Sequence, residues 1–261
     1  MKTMLMEIKG LQSWGCNESM TSRRKTFRFP TKSGIIGMFS AALGLQRDMS
    51  NEKEIGISLN DLRSLEFGVR IDDDGTIGRD YRTMHEYDYN VDMKNTGLIH
   101  GRKFSRNPSE ISERNFIMDA VFIVAVRGED EIIDSIHNAL NNPHYALYYG
   151  RKEFPASFDM LMNIETDNFI DIPVMTAFEN EPSHSRSDVN HSLMVIIDDN
   201  TSNDYIMDDP ISFNMNYRKY NRRYVRFDNV IPNGSDSNDE SIDVKSVNYD
   251  PMQFFTDEYM K

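Results

Sequence analysis

Residues 2–9 alternate, with Met4, Met6 and Ile8 on one side and Leu5, Glu7 and Lys9 on the other. That period of two predicts a strand. Gly10 and Gly15 bracket a turn, and Pro30 holds its preceding neighbour in an extended conformation. Thr31 or Ser33 stands where a helix N-cap is expected. Residues 34–45 then carry Ile35, Ile36, Met38, Phe39, Ala42, Leu43 and Leu45, which is apolar around most of a helix and predicts a buried one. A second short strand is predicted at 65–71, closed by the turn Asp72-Asp73-Asp74-Gly75. Residues 117–126 are almost continuously apolar, as in a central strand, and Gly128 ends them. Residues 131–140 place Ile132, Ile133, Ile136, Ala139 and Leu140 on one helix face, stopped by Asn141-Asn142-Pro143. A fourth strand is predicted at 145–149, ended by Gly150.

The order is β-α-β-β-α-β, which predicts an α+β, ferredoxin-like (RNA-recognition-like) domain over residues 1–155. Residues 72–114 are polar and weakly periodic, rich in Gly, Asn, Arg and Tyr. A structureless loop of that length is unusual in a compact domain, so it reads as a functional insertion built as a long hairpin. Beyond Pro155, β-prone runs at 169–175, 192–197 and 224–230 predict a smaller β-rich part over 156–231. Residues 232–261 read as an acidic tail with a short final element at 254–255. This fold hosts many functions, so function must come from the residues it presents.

Composition narrows the class. The chain has 261 residues, and its 15 Phe, 12 Tyr and 17 Met are enough to fill a core despite a hydrophobic fraction of 39%. No apolar run approaches the roughly 18 residues that span a membrane. Glu7 and Lys9 break the N-terminal apolar stretch that a signal peptide needs. The single cysteine, Cys16, excludes an internal disulfide and a cysteine-based zinc site. A soluble, cytoplasmic protein is expected.

Net charge is −13, which alone opposes nucleic-acid binding. Its distribution reverses that argument. Arg23, Arg24, Lys25, Arg28 and Lys32 fall in one acid-free stretch, and Arg218, Lys219, Arg222, Arg223 and Arg226 in another. His100, Arg102, Lys103 and Arg106 form a third group, while residues 159–210 hold twelve acids and one arginine. Phe27, Phe29, Tyr217, Tyr220, Tyr224 and Phe227 are interleaved with the cations, and rings beside arginine can stack on unpaired bases. The alternative is that these are simply solvated faces.

Four segments concentrate chemistry. Gly10-Leu11-Gln12-Ser13-Trp14-Gly15 surrounds the only tryptophan, either as a core plug or as a contact. Arg28-Phe29-Pro30-Thr31-Lys32-Ser33-Gly34 opens the first helix, where free N–H groups suit a phosphate, although no Walker sequence is present. Gly78-Arg79-Asp80-Tyr81-Arg82-Thr83 with His85 begins the insertion. Tyr148-Tyr149-Gly150-Arg151-Lys152 ends the predicted fourth strand, with Gly150 suited to close backbone approach and Arg151 and Lys152 to phosphate. The six histidines have no metal spacing, and no catalytic constellation, metal or cofactor is expected. Tyr81, His85, His100 and Lys103 leave open metal-independent acid–base work on RNA.

Leu11-Gln12-Ser13-Trp14-Gly15, then Phe29-Pro30-Thr31-Lys32-Ser33-Gly34-Ile35-Ile36-Gly37, then Ala42-Leu43-Gly44-Leu45-Gln46-Arg47-Asp48 resemble the CasD family. The resemblance continues through Arg79-Asp80-Tyr81, Arg114-Asn115-Phe116, Asp119-Ala120, Tyr149-Gly150-Arg151-Lys152, Asp209-Pro210 and Tyr220-Asn221-Arg222-Arg223. It spans about residues 4–230, with short motifs in a consistent order. CasD is a subunit of Cascade, the RNA-guided surveillance complex of type I-E CRISPR systems. The resemblance implies a RAMP-superfamily fold and a non-catalytic subunit that grips the 5′ handle of CRISPR RNA and caps the backbone of the complex. It implies CasC and CasA as protein partners and target DNA nearby, with no membrane. Residues 81–113 would be the thumb that presses on the RNA, carrying Arg102, Lys103 and Arg106. The RNA-binding set implied is Gln12, Trp14, Arg28, Lys32, Ser33, Arg47, Arg79, Tyr81, Arg102, Lys103, Arg106, Arg114, Arg151, Lys152, Arg222 and Arg223. The related type I-C subunit cleaves its repeat, so an endoribonuclease is the alternative. Residues 159–210 and the tail depart from the family pattern.

Overall fold

The computed structural model describes residues 1–15, 23–84, 110–157, 160, 171–186 and 192–233. Among them the elements run β1 (Lys2–Gln12), β2 (Arg23–Arg24), α1 (Lys32–Leu43), α2 (Glu52–Ile55), α3 (Leu59–Ser64), β3 (Glu66–Asp73), β4 (Thr76–Met84), β5 (Glu110–Gly128), α4 (Asp130–Asn141), α5 (Val174–Asn180), β6 (Leu193–Asp198), β7 (Tyr205–Ser212) and β8 (Lys219–Val230).

The sheet is built on β5. One edge of β5 pairs with β1 antiparallel and, further along, with β2 in parallel. The other edge takes β3 and then β4, both antiparallel. The changeover lies at Asp119, which has φ 59, opposite the turn at Gly75, which has φ 66. A Cβ on Gly75 would lie 2.3 Å from the Met118 carbonyl oxygen, so only glycine fits there. The path continues as β1-β5-β3-β6-β8-β7. The sequence divides the chain near residue 155, and one sheet runs across that division because β6 pairs with β3.

Helices α1 and α4 cover one face over Met4, Met6, Ile8, Phe122, Val124 and Val126. The apolar alternation of β1 and the unbroken apolar run of β5 place these side chains there. Helix α5 covers part of the other face, with Val174 and Phe178 against Ile123, Ala125, Val195 and Ile197.

Two strand expectations are corrected. Residues 145–149 form no strand: Tyr148 makes an isolated bridge to Pro155. Gly150, with φ 86, turns the chain back, so the Tyr149 N–H donates to the nearby Phe154 carbonyl at 2.8 Å rather than to a sheet edge. In the predicted run 169–175, Val174 and Met175 open helix α5, and residues 169 and 170 lie outside the described residues. The polar insertion supplies β4 and the first half of β5, while 85–109, most of the expected thumb, lie outside the described residues, as do 234–261 of the tail.

Buried charge fixes the C-terminal strands to the first helix. The Thr31 side chain caps α1 by accepting from Gly34 N–H, and Asp208 of β7 accepts from Lys32 N–H at 2.8 Å. Arg223 of β8 donates to both Asp208 oxygens at 2.8 and 2.9 Å and to Asp198 at 2.7 Å. Lys32 Nζ reaches Asp198 at 2.9 Å and the Leu65 carbonyl at 2.7 Å. Burial alone would lower the Arg223 pKa, but Asp208 and Asp198 outweigh it and raise it. Two buried cations thus balance buried Asp208 and partly buried Asp198, with every partner close.

A second set of bonds ties α5 to the sheet. Fully buried Arg70 pairs with Asp72 and also donates to the carbonyls of Phe178, Glu181 and Pro182 at 2.6–2.8 Å, closing the C-terminal end of the short helix. Just beyond, His184 sits between Glu181, at 2.9 Å, and Glu7, at 3.1 Å. The Glu181 hydrogen bond, opposed by burial and reinforced by Glu7, raises the His184 pKa.

Two outcomes follow. Arg223→Ala leaves Asp208 buried without its cation and Asp198 with Lys32 alone, and urea denaturation should show a loss of roughly 3–5 kcal/mol. For His184 the folded pKa lies above the unfolded value of about 6.5. Its stabilisation is therefore complete below about pH 6.5 and disappears as pH rises through the folded value. The stability gap between wild type and His184→Gln should close over that interval; a constant gap would mean that the imidazole is not the titrating tether.

Candidate nucleic-acid interface

An open cleft of about 830 Å³ runs along α1. Its floor is the small-residue face of that helix, Ser33, Gly34, Gly37, Ser40 and Ala41. One wall is the segment Tyr145–Lys152, held against the helix by donations from His144 N–H to Ala42 and Tyr145 N–H to Ala41 carbonyls, at 2.9 and 3.2 Å. The other wall is Phe213, Arg218 and Tyr220, from the β7–β8 connection and the start of β8. Arg47 and Lys152 are exposed at the rim.

The lining holds three cations (Arg47, Lys152 and Arg218), four aromatic rings (Tyr145, Tyr148, Phe213 and Tyr220) and no carboxylate. In a chain of net charge −13 that exclusion makes the cleft a local positive potential suited to a polyanion. Rings between cations add stacking surfaces for bases.

Gly150 connects this cleft to the base of the β4–β5 hairpin. A Cβ there would lie 1.7 Å from the Ser13 carbonyl oxygen, so the glycine serves close packing against the end of β1. Lys152 then faces the cleft, while Arg151 turns to the hairpin and donates to the Asn115 carbonyl at 2.7 Å. Burial, followed by the charge of Arg114, lowers the Arg151 pKa. Arg114 Nε and Arg151 Nη1 are buried without hydrogen-bond partners among the described residues. Arg82 is satisfied locally by Asp80 and Glu153. Exposed Tyr81 and Arg79 stand on the hairpin, Arg79 3.9 Å from Glu113.

The structure therefore separates the residues named from sequence. Ser33, Arg47 and Lys152 meet in the cleft; on the β4–β5 hairpin Arg114 and Arg151 share one face with Asp80 and Arg82, while alternation puts Arg79 and Tyr81 on the other. Arg28 is half-buried, with Asp74 at 3.5 Å, and Arg222 is exposed, its guanidinium 4.4 Å from the centre of the Tyr205 ring. Four assignments are corrected. Lys32 and Arg223 belong to the buried charge network, and the α1 N-terminus expected to take a phosphate is occupied by Asp208. Trp14 is 2% exposed and Gln12 fully buried, its side chain accepting from Trp14 Nε1 at 2.8 Å. The tryptophan is thus a core plug, packed against the helix at Gly34. Arg102, Lys103, Arg106 and the alternative acid–base groups His85 and His100 lie outside the described residues. Tyr145, Tyr148, Phe213, Arg218 and Tyr220 line the cleft without belonging to the RNA-binding set implied by the resemblance; Arg218 and Tyr220 fall in the stretch of cations and rings that the sequence singles out, and Tyr148 in the segment ending at Lys152.

The two glycines of α1 make a contrast. A Cβ on Gly34 would meet the Trp14 ring at 2.7 Å, whereas on Gly37 it would make an ordinary 3.8 Å contact with Phe213. Gly37→Ala should stabilise the fold by up to about 1 kcal/mol through helix propensity. Gly34→Ala should destabilise it by roughly 1–3 kcal/mol through overpacking, both measured by urea denaturation.

The family described as CRISPR-associated protein (Cas5) matches residues 3–226. The CRISPR system Cascade subunit CasD of Escherichia coli (strain K12) is 28% identical over 173 residues, 61% of this chain and 69% of that protein. A chain from a solved CRISPR RNA-guided surveillance complex is similar with a TM-score of 0.66 at 26% identity, covering 88% of this chain and 90% of that one. A chain from a crystal structure of a Cas protein is similar with a TM-score of 0.61 at 26% identity, covering 89% and 96%.

Proposed function

The chain belongs to the CRISPR-associated protein (Cas5) family, and on that premise we propose that it is the subunit of a type I-E Cascade complex that grips the 5′ handle of the CRISPR RNA. The observation that carries this reading is the carboxylate-free cleft along α1, with its three cations and four rings, in a strongly acidic chain. A single-stranded handle lies along the small-residue floor. Its phosphates meet Arg47, Lys152 and Arg218, and its bases meet Tyr145, Tyr148, Phe213 and Tyr220. The hairpin base, with Arg114 and Arg151 on one face, takes the strand where it leaves the cleft past Gly150.

In this reading the protein caps the backbone of the complex next to CasC and CasA, works in the cytoplasm and cuts no bond. Similarity to the E. coli Cascade subunit and to a chain of a CRISPR RNA-guided surveillance complex supports the assignment to such an assembly. The ferredoxin-like description of the N-terminal part rests on the order β1-α1-β3-β5-α4, with a thumb extending from β4 and β5.

Labelled CRISPR repeat RNA incubated with the protein in EDTA, across a salt series, tests this directly. Binding without cleavage is expected, weakening as salt rises. The double variant Arg47→Ala/Lys152→Ala should reduce the slope of log affinity against log salt by roughly 0.7 for each phosphate that is no longer neutralised. Cleavage at a defined position would replace this reading with a processing endoribonuclease and direct attention to Tyr81, His85, His100 and Lys103.

A further inference from the structure

Strand β8 carries a regular pattern that the cleft does not exhaust. Tyr220, Arg222, Tyr224 and Arg226 occupy alternate positions and so share one face of the strand. Arg218, immediately before the strand, extends the alternation. From 222 to 226 the even residues are exposed and Arg223 and Val225 are buried. The irregularities of the β7–β8 pair fall on β7, between Ile206 and Asp209 and between Pro210 and Ser212, so the alternation on β8 is unbroken.

This face leads out of the cleft along α1. Arg218 and Tyr220 line that cleft, while Arg222 and Tyr224 line a second one of about 600 Å³ beside α3. The carboxylates of the second cleft have cations of their own: Asp198 holds Arg223 and Lys32, Asp209 holds Arg63, and Glu66 holds Arg127. Arg222 is held over the Tyr205 ring, and Tyr205 meets Tyr224 edge-on at 6.4 Å, so the aromatic and cationic surface is ordered before any ligand arrives. At the far end Arg226 has Asp228 at 3.5 Å and Asp199 at 3.8 Å, yet it remains half exposed.

We propose that the outer face of β8, from Arg218 to Arg226, is a second nucleic-acid track that receives single-stranded RNA as it leaves the cleft along α1, with arginines on phosphates and Tyr220 and Tyr224 stacked on bases. The proposal rests on the handle-binding reading. Side chains two apart on a strand are about 6.8 Å apart. Arginine and tyrosine alternate at that spacing, so a ring stands between successive cations to take a base, which a single strand with splayed bases offers and a paired duplex does not.

The test measures binding of two single-stranded RNAs to the full chain by fluorescence polarisation. One is short, roughly 5 nucleotides, and one long, roughly 15, within the range of single-strand site sizes. Tyr224→Ala should weaken the long RNA roughly tenfold, leave the short one unchanged and preserve the salt slope, because a ring and not a charge is removed. Tyr224→Phe should bind as wild type, which separates stacking from a folding defect. Arg222→Gln/Arg226→Gln should lower the salt slope for the long RNA by about 1.4. If both the Tyr224 and the double arginine variants bind the long RNA as wild type does, the track is wrong; a continuing loss in Arg47→Ala/Lys152→Ala then leaves the cleft reading standing. If that pair also has no effect, both readings fall. Tighter binding of DNA of the same sequence, or of the corresponding duplex RNA, would overturn the assignment to single-stranded RNA.

Discussion

The pairing of Arg223 with Asp208 and Asp198, extended by Lys32, is the interaction on which the rest of this structure depends. It joins α1 to β6, β7 and β8 through residues far apart in sequence. Ion pairs of this kind tolerate little misplacement, because Lys32, Asp208 and Arg223 have left water and close opposite charges and backbone groups replace their hydration. Satisfying all four groups therefore sets the distance between the first helix and the C-terminal strands. The bidentate pair of Arg63 with Asp209 adds a second point of attachment nearby, from α3 to β7.

The cleft along α1 follows from that placement. Its floor belongs to α1 and one wall to the start of β8, and the network lies beside both. Asp208 satisfies the first N–H of the helix from within the protein. The helix end thus acts as a structural joint, and the cations without a carboxylate among them in the lining, Arg47, Lys152 and Arg218, stand on the open side of the helix. The same division applies around Gly150. Its backbone is packed on Ser13, and that packing sends Arg151 and Lys152 to different surfaces, one to the hairpin base and one to the cleft.

The elements legible in the sequence were those with one dominant period. Alternation in β1, the apolar run of β5 and the one-sided face of α4 matched the structure because burial against a single layer leaves a direct trace in residue order. The segment 145–149 misled for the opposite reason. Leu147 and Tyr149 pack on the core, but the segment's backbone bonds are closed by a local turn, which hydrophobic pattern does not encode. Trp14 and Gln12 belong to the same class: the Trp14 ring packs against Gly34 of α1, a contact across the fold, and buried Gln12 accepts from its Nε1.

Sequence by itself determined the family resemblance, the order of the main elements, and the separation of cationic and acidic stretches. These are properties of local order and composition, present before the chain folds. Tertiary structure decided which cations remain available. Arg222 and Arg223 are neighbours in a strand, yet one stacks on Tyr205 at the surface and the other is buried between two aspartates. Alternation puts adjacent side chains on opposite faces, but only the docking of β7 and β8 against α1 determines which face is closed and which meets solvent.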